Sequence, residues 1–283
     1  MNLTDLHPWV HDAADLKREE QKRWYSPSSF FFSQGQSLVL AASYFRDTRL
    51  TSTARGGVAR KHRHRIHLAL FGQLMASLEY LFKDFIAQVI DLTDVFDEKV
   101  KKAKWIEVDA GHVLSVRTVK TTPGALLLHS TLGWQDSRTV NVRYSDLFLF
   151  QPIDQPEIDT LDRLWVLRHS VAHNAGFVTA RDAARAGVPA LSNAVVDLNE
   201  EFIRETFDFL CNIAKRVATE VGDRVVLEWL RSKKEVEANW KRDKQTYTWL
   251  KYLAAYIPSR ARELPKIRKG TYTADFARAN APP

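Results

Sequence analysis

Apolar residues recur at steps of three and four between Arg60 and Leu92. Phe71, Leu74, Leu78, Leu81, Phe85 and Val89 form one stripe, and Leu70, Phe82, Ile86 and Ile90 widen it well past a single face. The span holds no proline and only one glycine, Gly72, so the pattern predicts one long helix buried on two sides. One side would meet the domain core and the other a second subunit. A second helix is expected over 156–175. Pro156 opens it, Glu157 and Asp159 favour its first turn, Ile158, Leu161, Leu164 or Trp165 and Leu167 continue the period, and Gly176 stops it. A third starts after Asp197 or Asn199 as cap, with Glu200 and Glu201 in its first turn. It carries Phe202, Phe209, Leu210, Ile213 and Val217 and ends at Gly222. A further interrupted helix covers Val225–Tyr256 and stops before Pro258.

Other segments give weaker patterns. Asp12–Tyr25 suits a short helix that Ser26-Pro27-Ser28-Ser29 breaks, and Phe30–Phe45 fits strand or helix. Gly56-Gly57 reads as a hinge. Val113–Val119 and Thr139–Tyr144 alternate and are rich in β-branched residues, which predicts a short hairpin, and Gly124–Leu132 reads as a short helix with Pro123 at its first position. The fold class is therefore mainly α: an antiparallel helical bundle with a small mixed or β-hairpin insertion. The expected organisation is an N-terminal segment 1–55, a helical domain 56–225 with an insertion at 99–144, and a C-terminal helix with a basic tail at 226–283.

Composition agrees with a globular protein: 283 residues, 45% hydrophobic and 27% charged. The single cysteine, Cys211, excludes a disulfide framework and a Cys-based zinc site and suits a reducing, cytoplasmic setting. No apolar run approaches the roughly 18–20 residues of a membrane helix, and the N-terminus has no secretory apolar core, so no membrane partner is expected. The net charge of +7 is unevenly spread. From Arg231 onward there are 13 Lys/Arg and 5 Asp/Glu, a net of +8, with Trp240, Tyr247, Trp249, Tyr252 and Tyr256 among them. Such a segment suits a polyanion, most plausibly nucleic acid, or simply solubility.

The densest polar cluster in an apolar helix is Arg168-His169-Ser170-Val171-Ala172-His173-Asn174. Such a run beside a buried stripe is costly unless it is partnered or functional. Three readings compete. The histidines can cap carbonyls and favour the negative end of the helix dipole. They can bind metal, since His169 and His173 share a face at i,i+4, but the Glu of an HExxH pattern is missing. The nearby run Arg60-Lys61-His62-Arg63-His64-Arg65-Ile66-His67 adds histidines whose four cations would repel a divalent ion, so no metal or other cofactor is assigned. Or the run cleaves phosphodiesters. Arg168 can grip a phosphate with its planar fork, and a histidine titrating near neutrality can move the 2′-hydroxyl or leaving-group proton. The two lie about 140° apart on a continuous helix, so they converge only if the helix ends between them or a second subunit supplies partners.

The run resembles the R-x4–6-H signature of the HEPN superfamily, and Leu167–Gly176 is very similar to its RHxxxHNxG form. Ser77-Leu78-Glu79-Tyr80-Leu81-Phe82-Lys83-Asp84-Phe85-Ile86 resembles the LExYLKDLI-type helix of several HEPN groups, and the similarity spans roughly residues 60–220. It implies an all-α bundle that dimerises with two motif copies facing each other, and a metal-independent endoribonuclease acting as a toxin, in phage defence or in RNA processing. By position, Arg168 would bind the scissile phosphate and His173 would be the acid/base group. His169 and Asn174 would orient the site, and Glu79 would support it or simply pair with Lys83. Arg60, Lys61, Arg63, Arg65, Lys241 and Arg242 are the candidate RNA-binding cations. The partners implied are RNA, a second copy, and an antitoxin or other defence-system protein. The tyrosine that some members carry after the second histidine is absent, as Asn174-Ala175 follow instead. The alternative function is a catalytically inactive HEPN module that binds RNA or a protein partner.

Overall fold

The computed structural model describes residues 27–47, 57–92, 95–106, 122–128 and 133–232. Among these the chain is mainly helical: α1 Pro27–Asp47, α2 Gly57–Leu92, α3 Asp97–Lys102, α4 Pro123–Leu128, α5 Ser137–Phe148, α6 Gln155–His173, α7 Ala180–Arg185 and α8 Glu200–Ser232, with a 3₁₀ turn at Pro189–Leu191. No described helix is long and apolar enough to cross a membrane.

α2 is the axis of the fold. Its 36 residues span about 54 Å, and Phe71, Leu74, Met75, Leu78, Leu81, Phe82, Phe85, Ile86 and Val89 are all buried. Helices α1, α4, α6 and α8 all pack against it. The breadth of its apolar surface is thus satisfied inside one chain. α1 settles the strand-or-helix ambiguity of Phe30–Phe45 as helix. It lies so close to α8 that a Cβ on Gly35 would collide with the Phe207 ring. Asp91 of α2 caps α4, accepting from the Gly124 amide (2.7 Å) and the Thr122 hydroxyl (2.6 Å).

Two expectations fail. Thr139–Tyr144 is not a strand but part of α5, and its supposed partner Val113–Val119 lies outside the described residues. Asp136 caps α5, accepting from the Arg138 amide and the Thr139 hydroxyl, both at 2.9 Å. Val140, Tyr144, Leu147 and Phe148 are buried at helical spacing, whereas Val142 is turned outward and is 56% exposed. Gly222 does not end a helix either. α8 runs through it because Val217, Val221 and Val225 continue one buried stripe, whose packing offsets the roughly 1 kcal/mol cost of a mid-helix glycine. The segment 99–144 contributes Leu127, Trp134, Val140 and Tyr144 to the same core. Within it Arg143 is nearly buried, with Cζ 4.5 Å from the Trp134 ring centroid and 5.3 Å from that of Trp105, and it donates to the Gly133 carbonyl at 2.7 Å.

Candidate active site

The motif helix α6 is fastened at its start by charge. Asp154 and Glu157 form a capping box, with the Asp154 amide donating to Glu157 Oε2 at 3.0 Å. Arg216 of α8 then clasps Glu157 with two parallel hydrogen bonds, Nη1 to Oε2 at 2.6 Å and Nη2 to Oε1 at 2.7 Å, and pairs with Asp154 at 3.0 Å. The Arg216 hydrogen bonds hold the Glu157 carboxyl below the usual carboxylate range, and Glu157 in turn raises the Arg216 guanidinium.

The far end is fastened by a buried carboxylate. Asp182, 2% exposed at the head of α7, accepts at one oxygen from Thr179 Oγ1 (2.9 Å), Asn174 Nδ2 (3.1 Å) and Ser170 Oγ (3.2 Å). Two of those donors belong to the motif run. Asn174 is the C-cap of α6, and the chain turns away through Ala175 (φ 53) and Gly176 (φ 90). Phe177 follows, paired in an antiparallel bridge with Val195.

Between these anchors the motif side chains divide between two faces. Arg168, with its side chain 19% exposed, points towards α2, where its Nη2 lies 3.7 Å from Glu79 Oε2. Gln135 Nε2 donates to the same Glu79 oxygen at 3.3 Å. So Glu79 meets Arg168. On the same helix Lys83 is half-buried, and burial lowers its ammonium against the upward pull of Glu79. His169 and His173 lie side by side on the neighbouring face, with ring centroids 4.7 Å apart and planes tilted by 43°. α6 is continuous through both Arg168 and His173 and His173 is exposed, so within one chain the two side chains lie on different faces of the helix. Among the described residues no group of three His, Cys, Asp or Glu is placed to hold a metal ion. Cys211 is buried in α8 and desolvation pushes its thiol up to about 11, so it offers no thiolate near neutrality.

Of the expected RNA-binding cations, the two whose side chains are described divide between two recesses. Arg65 is exposed and lines a groove of about 770 Å³ between α2 and α6, together with Arg168. Arg63 instead lines a separate recess of about 670 Å³ at the start of α8, with His64, His67, Arg204 and the carboxylates of Asp197, Glu200 and Glu201. Arg60 and Lys61 belong to α2, but their side chains are outside the described residues, as are Lys241 and Arg242 altogether. Sequence reasoning missed Asp182 and Gln135. The Thr179-x-x-Asp182 spacing is a helix-start signal, and Thr179 Oγ1 does accept from the Asp182 amide at 3.1 Å. Nothing in that spacing shows that the Asp182 carboxylate reaches back to Ser170 and Asn174. Comparison with family models, with curated proteins and with solved structures finds no match.

Proposed function

We propose that this chain is a HEPN-type, metal-independent endoribonuclease that works as a homodimer. The observation that carries the reading is Arg168 itself: a largely sheltered guanidinium lining an open groove, one residue before a histidine pair in ring contact at the end of a doubly fastened helix. RNA brings its own nucleophile, the 2′-hydroxyl. Cleavage then needs a base for the 2′ proton, an acid for the 5′ leaving oxygen, and a cation for the charge gathering on the phosphorane. Arg168 supplies the cation, charged at any physiological pH. His173 supplies a proton carrier. Because the two occupy different faces of α6, the complete site joins Arg168 of one copy to His173 of the other across a two-fold axis. The products are a 2′,3′-cyclic phosphate and a 5′-hydroxyl. A cytoplasmic toxin or phage-defence role, with an antitoxin or defence-system partner, is the biological setting that accompanies this chemistry.

One observation favours the second reading, an inactive module that binds RNA or a protein. Arg168 has a carboxylate neighbour in Glu79, so its charge also has a structural use. RNA cleavage in excess EDTA separates the two. The enzyme cleaves there, DNA resists, and His173→Ala loses at least about 100-fold in rate while the exposed substitution leaves the fold intact. Arg168→Lys keeps the charge, loses the fork and is badly impaired. A folded His173→Ala protein that cleaves at the wild-type rate would sink the assignment, and activity lost to EDTA and restored by zinc would promote the histidine pair to metal ligands.

A further inference from the structure

The groove between α2 and α6 has a lining that the cleavage chemistry does not use. It follows α2 from His64 to Ala76, about 18 Å of helix, which is long enough for a few nucleotides of an extended strand. Its charged and ionisable lining is His64, Arg65 and Arg168; the carboxylates beside it, Asp197 at 3.2 Å from His64 and Glu79 at 3.7 Å from Arg168, lie outside the lining. Its floor is apolar and low. Gly72 sits there in mid-helix, where a glycine costs about 1 kcal/mol relative to alanine. Among the described residues nothing uses that absence of a side chain, since a Cβ built on Gly72 meets no atom within 4 Å. At the rim stands Phe177, 56% exposed. It is an aromatic ring held out towards solvent by a fixed backbone. The Phe177 amide donates to the Asn174 carbonyl at 2.9 Å, and the Val196 amide to the Gly176 carbonyl at 2.8 Å.

We propose that this groove is the binding track for an unpaired RNA strand, with Phe177 stacking on a base next to the phosphate that Arg168 holds and Arg65 gripping the backbone further along. The proposal rests on the endoribonuclease reading and adds the substrate class and two residues outside the motif. Cations that track phosphates beside an exposed aromatic ring are the means by which proteins hold single strands, because every base offers a stacking face once it is unpaired. A duplex hides those faces and presents backbone and groove edges instead.

The test is fluorescence anisotropy with a labelled 2′-O-methyl oligoribonucleotide of about eight nucleotides, within the usual span of single-strand sites. It has no free 2′-hydroxyl, so binding is read apart from cleavage. The wild-type chain binds the single strand at least about tenfold tighter than the same sequence in a duplex. Phe177→Ala weakens binding about tenfold and Phe177→Trp restores it. Gly72→Leu fills the track and weakens binding at least about tenfold while melting no lower than wild type, because leucine is the better helix former and has room. Equal affinity for strand and duplex, or wild-type affinity in both Phe177→Ala and Gly72→Leu, overturns the proposal. So does a Gly72→Leu protein that changes its sedimentation but not its RNA affinity, which would assign the groove to a second copy. A wild-type chain that cleaves ordinary RNA but ignores these substitutions defeats the groove alone. One that binds through the groove without cleaving defeats the endoribonuclease reading alone.

Discussion

Glu79 and Arg168, from the long axial helix and the motif helix, face each other at 3.7 Å with side chains 18% and 19% exposed. At that separation the carboxylate steadies the guanidinium by charge without occupying its hydrogen-bonding fork, so the fork stays open to a phosphate. Glu79→Gln removes the charge and keeps a partner for Gln135. The expected result is a loss of about tenfold in kcat with KM little changed, and a melting temperature within a few degrees of wild type, since the pair is too long for a hydrogen bond and glutamine still accepts from Gln135. Steady-state kinetics and a thermal melt check both halves, and a large drop in melting temperature would assign Glu79 to structure instead.

A shared site makes a distinctive demand on mixed dimers. Arg168→Ala and His173→Ala are each inactive alone. Refolded together in equal amounts, half the dimers are mixed, and each mixed dimer holds one site with both residues intact. About a quarter of wild-type activity should return. No recovery, with mixed dimers confirmed by mass, would place both residues in one protomer's site. Sedimentation of the wild type should show a dimer, and a strict monomer at high concentration would end the shared-site mechanism.

Asp182 is predicted to be a stability residue with a local effect on the site. Asp182→Asn turns an acceptor of three hydrogen bonds into a group that offers its own donors to the same neighbours. Hydrogen bonds to a charged group each contribute about 1.5–3 kcal/mol, so a loss of about 2–4 kcal/mol in urea denaturation is expected. Cleavage should also weaken in conditions where the variant is fully folded, because the C-cap Asn174 loses its anchor next to His173.

Acid should dissolve the opposite anchor. Glu157 is held below the usual carboxylate range by Arg216, so its contribution is fully present above the unfolded value of about 4.3 and is lost as pH falls through the lower folded value. Arg216→Met removes that contribution. The stability gap between wild type and Arg216→Met should be widest near neutrality and close as pH falls below about 4. Denaturation midpoints measured across that range test it, and a gap that widens in acid contradicts the assignment.

The helices that organise the site were legible because their stripes are long and regular. Phe71 to Val89 and Phe202 to Val217 each mark several turns of one face, and the one local breaker within them, Gly72, is too weak to compete. Gly222 misled because a glycine's preference to stop a helix is weak beside the burial of Val221 and Val225. Thr139–Tyr144 misled because β-branched residues at alternate positions imitate a strand, while two of the polar residues between them are buried with tertiary partners. Asn141 exchanges hydrogen bonds with the backbone of Ile153 (2.8 and 2.9 Å), and Arg143 binds the Gly133 carbonyl. Arg168, His173 and Glu79 stand out as candidates by local pattern and resemblance. Asp182 and Gln135 do not, because what they do is set by where distant chain segments cross, and no spacing within the sequence encodes that crossing.

The two anchors of α6 bear on how the protein breathes. A helix normally frays from its ends, and its terminal amides exchange with solvent through small local openings. Here the first turn is gripped by Arg216 and the last by Asp182, so the usual sites of fraying are closed. Amides along α6 should then exchange at one common, slow rate set by opening of the whole bundle. Motion at the groove then falls to the side chains of Arg65, Arg168 and Phe177, on a timescale far shorter than any movement of the helix that carries the motif.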